Sequence, residues 1–325
     1  MGIKISSAPV PFLNPVDRFV SEGYKDMPNL PFGELLPRMM EVEGLDAVTV
    51  NYPGDFADAV QLKGLLARYG AKVSPIDTGI YWGRKWVLGS YANNNPRIRR
   101  DAIEVTKGAM DAAAELGVNE IIIWPGQDGF EYPFQYDHDL AWGYCVDGIG
   151  ECAEHRPDVR IGIEYKAMEP RARCFIDTAA TTLLLCEKIG LPNVGVTLDL
   201  GHSINAQESP AQAAALCARY NRLFQVHMND NYGNWDNDLL VGQVNFWLSL
   251  EFHYWLHRVG YNGYHDMDFF PFREDGKAAL EQCIRSTRWL ARLAASLPDE
   301  AIRQLQRKGD PVTISRMLWE AVIKP

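Results

Sequence analysis

Val159-Arg160-Ile161-Gly162-Ile163-Glu164-Tyr165-Lys166 is the stretch on which the reading of the fold turns. Successive side chains of a strand point to opposite faces. One face of this run is Val159, Ile161, Ile163 and Tyr165, apolar throughout and suited to packing against helices. The other is Arg160, Gly162, Glu164 and Lys166, with its charge gathered at the C-terminal end. A strand with an apolar back and a charged, inward-facing end is what a closed parallel barrel requires, because barrel enzymes place their chemistry at the C-terminal ends of the strands.

Seven further β-rich runs carry the same rhythm: 3–7, 47–52, 72–77, 120–124, 194–199, 223–229 and 263–269. Amphipathic segments lie between them, among them 97–116, 178–189 and 245–259. Gly117, Gly190 and Gly260 stand where those helices should stop. Eight strands alternating with helices predict a (β/α)₈ TIM barrel over residues 1–298. An extra C-terminal helical arm is expected over 299–325, and residues 13–30 read as a long loop after the first strand.

The same alternation sorts the later strands. In 194–199, Val194, Val196 and Leu198 face the helices, while Gly195, Thr197 and Asp199 face in. In 223–229, Phe224 and Val226 should face out, and Gln225, His227 and Asn229 in. Asp266 and Asp268 share a face in the last strand. Glu164, Asp199, His227 and Asp268 therefore converge near the strand ends. Carboxylates crowded together repel one another unless cations neutralise them, and His227 adds a nitrogen ligand. A second cluster lies in the loops: His202, three positions after Asp199, with Asp236 and Asp238. Two divalent ions bridged by Asp199 would balance this charge. An oxygen-rich set with two histidines favours Mn²⁺, with Co²⁺ or Mg²⁺ as alternatives.

The 325 residues carry a formal charge of −10 and no long basic run, which argues against a nucleic-acid partner. No stretch is apolar enough to span a membrane, and no N-terminal segment reads as a signal peptide. The six cysteines form no C-x-x-C pair and read as reduced core residues of a cytoplasmic protein.

At these residues the sequence resembles the xylose isomerase-like superfamily, and within it the L-rhamnose and xylose isomerases. The resemblance rests on ordered motifs between about 120 and 275. Ile163-Glu164-Tyr165-Lys166-Ala167-Met168-Glu169-Pro170 resembles the family's metal-ligand glutamate and catalytic lysine. Leu198-Asp199-Leu200-Gly201-His202 resembles its bridging carboxylate and second-metal histidine. His227-Met228-Asn229-Asp230, Asp236-Asn237-Asp238-Leu239 and Asp268-Phe269-Phe270-Pro271 resemble the remaining ligands. What this implies is a metal-dependent aldose–ketose isomerase, working by hydride shift on a non-phosphorylated sugar, in a homo-oligomer (dimer or tetramer). Lys166, Glu164 and Asp268 are the expected catalytic residues. Trp124, Gln127, Asp128, His202, Trp235 and Phe269 are the expected substrate contacts. Alternatives are a keto-sugar 3-epimerase or another epimerase or lyase of the superfamily, or a sugar-binding barrel without catalysis. One departure stands out. Xylose-type isomerases carry an early histidine–aspartate motif linked to ring opening. Here no histidine precedes His138, and the second strand ends Asn51-Tyr52-Pro53-Gly54-Asp55.

Overall fold

In the computed structural model, which describes residues 2–323, eight parallel strands close into a barrel. They are β1 (Lys4–Ser7), β2 (Ala47–Tyr52), β3 (Val73–Thr78), β4 (Glu120–Ile123), β6 (Arg160–Glu164), β8 (Val194–Asp199), β9 (Leu223–Met228) and β10 (Tyr264–Met267). Each pairs with its chain neighbours, and β10 closes onto β1. The two strands the alternation did not reveal, β5 (Gly129–Phe130) and β7 (Arg173–Cys174), form a small antiparallel pair between the loops after β4 and β6. Five of the eight barrel strands run one to three residues shorter than the expected runs, and the other three keep their expected length.

Most helices open on a capping side chain, as α2 (Ala59–Tyr69) does on Asp58, whereas α1 (Phe32–Met39) and α8 (Phe246–Arg258) do not. Asn95, Asp137, Thr178, Ser209 and Asp275 cap α3 (Pro96–Leu116), α4 (His138–His155), α5 (Ala179–Ile189), α7 (Pro210–Arg219) and α9 (Gly276–Ser296). Each side chain accepts a first-turn backbone N–H, worth about 1 kcal/mol apiece. Gly117 and Gly190 close α3 and α5 in the left-handed conformation, at φ 72° and 73°. The side chains of Ile161, Ile163, Val194, Val196, Leu198 and Val226 are fully buried between barrel and helices. All six cysteines are buried and unpaired. No helix among the described residues is long and apolar enough to cross a membrane. After α9 come α10 (Asp299–Lys308) and α11 (Pro311–Ile323). Residue 1, and residues 324–325 of the expected arm, lie outside the described residues.

One side chain points opposite to its expected direction. The β8–β9 register shifts between Val196 and Thr197, so that Leu223 pairs with Val196 but Gln225 with Thr197. This irregularity turns Phe224 inward instead of toward the helices. Its ring fills the space left by Gly195, where a Cβ would come within 2.5 Å of it, and Arg160 lies 4.8 Å over its face. Arg160 also pairs with buried Glu120. Together these three side chains close the N-terminal end of the barrel. The opposite end opens into a cavity of about 1220 Å³. The irregular segment 13–30 borders it, stitched by Asn14, whose side chain bonds the backbones of Lys25 and Met27. Tyr24 from that segment packs edge-on to Phe272, with centroids 5.1 Å apart.

Candidate metal centre

Strand register sets the first cluster. Asp199 pairs with His227 across β8 and β9, and His227 with Asp266 across β9 and β10, while Glu164 lies beside Thr197. Ligand atoms of Glu164, Asp199, His227 and Asp268 all fall within 4.8 Å of one another. Nδ1 of His227 is the hub: it stands 3.3 Å from Glu164 Oε1, 3.8 Å from Asp199 Oδ2 and 3.1 Å from Asp268 Oδ2. Yet this buried nitrogen makes no hydrogen bond. A buried polar atom without a partner, encircled by carboxylate oxygens, is the geometry of a ligand turned toward a cation. Three carboxylates and one imidazole suit a hard or borderline divalent ion.

Asp199 has two tasks. It is the N-cap of α6 (Leu200–Asn205), where Oδ1 accepts the His202 backbone N–H at 2.7 Å. Its Oδ2 accepts from Asn229 Nδ2 at 2.9 Å. That short helix swings the His202 ring into the cavity, with Nδ1 3.2 Å from Glu164 Oε1 and Nε2 3.0 Å from Asp236 Oδ2. Asp236 Oδ2 also receives Lys166 Nζ at 2.8 Å, and the same ammonium lies 2.9 Å from Glu169 and 5.2 Å over the Trp124 ring. Asp238 meets Asn229 at 3.3 Å. The loop cluster is therefore present, but its carboxylates are engaged by Lys166, His202 and Asn229. Among the described residues only the four-residue set converges as a ligand group.

The charges explain one another. Burial alone would lower the Lys166 pKa, but Asp236, Asp238 and Glu169 outweigh it and hold the ammonium charged. Burial likewise opposes protonation of His202, yet Asp199 and Asp236 raise it to about 9. Burial raises Asp199 to about 6, against the pull of His202. Asp236 is lowered despite burial because Lys166 and His202 flank it.

Of the expected substrate contacts, Trp124, His202 and Trp235 line the cavity. Asp128, Gln127 and Phe269 do not. Asp128 is buried and accepts from the backbone N–H groups of Ser90, Tyr91 and Ala92 and from the Ser90 hydroxyl. Its acceptors are consumed in tying two loops together. Gln127 donates to the Tyr81 carbonyl at 3.3 Å. Phe269 is a core residue, 1% exposed, on the outward face that it shares with Met267 by strand alternation. Phe270 and Phe272 reach the cavity in its place. Asp77, Asn51 and Tyr81 also line it and were not among the expected site residues. Asp77 could have been noticed as an acid at the C-terminal end of a strand, the same position that singled out Asp199.

A profile of the family described as Xylose isomerase-like TIM barrel matches residues 40–293. A protein named xylose isomerase from Thermus thermophilus is 24% identical over 268 residues, spanning 79% of this chain and 67% of its own. Among solved structures, a D-tagatose 3-epimerase-like protein superposes with a TM-score of 0.66 at 19% identity, covering 88% of this chain and 99% of its own. The D-allulose 3-epimerase from Methylomonas sp. gives 0.64 at 17%, covering 93% and 97%. At such identities the superpositions speak for the barrel.

Proposed function

Since the chain belongs to the xylose isomerase-like TIM barrel family, we propose that it is a divalent-metal-dependent aldose–ketose isomerase acting on a non-phosphorylated sugar. The observation that carries this reading is the Lys166 ammonium, buried in the cavity wall beside a four-ligand metal centre and held charged by Asp236 at 2.8 Å. An isomerase must stabilise negative charge on the substrate's carbonyl oxygen while hydrogen moves between adjacent carbons. A fixed cation in a water-poor site does this at little reorganisation cost. The likeness to a xylose isomerase supports the same reading.

Mn²⁺, or Co²⁺ or Mg²⁺, held by Glu164, Asp199, His227 and Asp268, would polarise the substrate's carbonyl and hydroxyl oxygens. A second ion would draw on His202, Asp236 and Asp238. Trp124 and Trp235 offer ring faces to the sugar's C–H surfaces, and Tyr24 with Phe272 narrows the entrance. Glu164 and Asp268 are committed to the metal centre, which disfavours either as a base at carbon and supports direct passage of hydrogen between the carbons. Of the basic residues near the site, Arg171 is paired with Glu131 at 2.6 Å and Lys85 with Asp101 at 2.7 Å, while Arg273 lines the cavity. The apolar face of α11, where Val312, Trp319 and Ile323 are exposed, is the surface through which copies would associate.

The direct test is a panel of aldoses and ketoses assayed with Mn²⁺ and read by product identification. An aldose carrying deuterium at C2 should give a ketose with the label retained at C1 in ordinary water. Extensive washout, or no isomerised product from any sugar, would overturn the reading.

A second reading is a one-ion keto-sugar 3-epimerase, favoured by the fact that Asp236 is occupied by Lys166 and His202. Asp236→Asn combined with Asp238→Asn separates the two. For the isomerase this variant should retain one ion by elemental analysis and lose roughly 10²-fold or more in kcat, through the lost second ion and the loosened Lys166. Near-normal turnover would favour the one-ion scheme.

A further inference from the structure

Across the barrel from His227, the wall made by β2 and β3 carries a carboxyl group that the metal centre does not use. Asp77, near the end of β3, lines the cavity. Both of its protein hydrogen bonds fall on Oδ2: Asn51 Nδ2 donates at 2.7 Å, and the Tyr81 hydroxyl donates in a very short contact. Oδ1 takes no hydrogen bond among the described residues and is not one of the sealed, unpartnered buried atoms. It is left to the cavity. Tyr81 is itself fixed, its ring edge-on to Trp124 with centroids 4.7 Å apart. Asn51 is held by the Gly54 N–H on its carbonyl oxygen at 3.2 Å. Two donors thus orient one carboxyl oxygen and leave the other free, in a wall with no cation paired to it.

The groups acting on Asp77 are few. Burial raises its pKa to about 7, against the hydrogen bonds from Tyr81 and Asn51, and the Glu164 and Asp268 carboxylates across the cavity push the same way as burial. A carboxyl group in that condition can give and take a proton at neutral pH.

Free pentoses and hexoses rest as cyclic hemiacetals, whereas hydrogen transfer beside a carbonyl needs the open chain. We propose that Asp77, oriented by Asn51 and Tyr81, is the acid–base residue that opens the sugar ring in this protein. The proposal rests on the reading of the site as one for sugars. In the forward step the protonated carboxyl gives its proton to the ring oxygen as the bond from the anomeric carbon to that oxygen breaks, the bonding pair staying with oxygen. A lone pair of the anomeric hydroxyl oxygen forms the carbonyl, and that hydroxyl's proton goes to Oδ1. The carboxyl ends as it began. One group suffices because both oxygens are bonded to the same carbon. Asn51 and Tyr81 are positioning residues.

Ring opening can be read without isomerisation, as exchange between the α and β anomers. Magnetisation transfer is measured by NMR on aldopentoses and aldohexoses labelled with ¹³C at C1. Wild-type, metal-loaded protein should accelerate exchange for at least one of these sugars. Asp77→Asn, checked for unchanged metal content and melting temperature, should lower that acceleration about 10²-fold or more. It should lower turnover of the same sugar equally, yet leave glyceraldehyde, too short to close a stable ring, within about threefold of wild type, since its conversion bypasses the acid–base step. Tyr81→Phe removes a hydrogen bond that holds the Asp77 carboxyl down, so it should shift the pH midpoint of anomer exchange upward, which a merely structural role would not do. Failure of the wild type to accelerate exchange overturns the proposal, as does equal loss on ring-forming sugars and glyceraldehyde in Asp77→Asn. Anomer exchange without isomerised product from any sugar would uphold it while removing the isomerase reading.

Discussion

Stripped of divalent ions by chelation, the protein is expected to convert its sugar at least about 10³-fold more slowly, the scale of several kcal/mol of lost charge stabilisation. Mn²⁺ or Co²⁺ should restore the rate. The physical ground is the His227 hub, a buried nitrogen without a hydrogen bond amid three carboxylates. Without an ion the cluster has one remedy for its crowded negative charge. Burial disfavours protonated His227, but Glu164 and Asp268 outweigh burial and raise its pKa well above the ordinary value. Loading an ion must displace that proton, so ion binding weakens as pH falls. Activity is to be followed beside metal content by elemental analysis; undiminished turnover by protein shown to be metal-free would remove the metal centre from the chemistry.

Lys166→Met should be the most damaging single substitution that spares the first metal centre. Methionine roughly keeps the length and packing of the side chain and removes the charge. The loss should fall on kcat, by about 10²–10³-fold, the scale of removing one preorganised donor to a developing oxyanion, with KM little changed. Lys166 Nζ is not a ligand, so the ion bound by Glu164, Asp199, His227 and Asp268 should remain. The substitution does leave Asp236 and Glu169 facing each other without their shared cation. Lys166→Arg is therefore the informative control: it restores charge but not the position of the donor, and should recover stability more than rate. Equal kcat in wild type and Lys166→Met, with metal retained, would exclude a catalytic role for the lysine.

What could be read from sequence alone follows a physical line. Strand alternation is a strict period of two, so Glu164, Asp199 and His227 could be assigned to the barrel interior from their neighbours alone, and strand register brings them together. Alternation fails where the backbone breaks its period. The irregularity beside Val196 inverts Phe224, whereas past Met267 the period holds: Phe269 lies in the core and Phe270 faces the cavity beside Asp266 and Asp268, so the expectation of Phe269 as a substrate contact ran against alternation. Loops obey no period at all. Nothing in Gln127-Asp128 says that the carboxylate is used up by backbone N–H groups 36 to 38 residues earlier in the chain. In the wall of Asn51, Asp77 and Tyr81 only Asp77 carries a signal of its own, as an acid at a strand end; Asn51 and Tyr81 join it only once β2 and β3 are adjacent.

The plug of Glu120, Arg160 and Phe224 makes the barrel a blind alley. With the N-terminal end shut, the substrate and the product of the proposed reaction would share a single doorway, the cavity at the opposite end. Each spent molecule must back out before the next is admitted, so the two compete for the same vacant enzyme. Rising product then slows entry directly, and at high product the traffic runs the other way. The closed end affects only the rate at which the two exchange; the net direction of the proposed reaction stays with mass action.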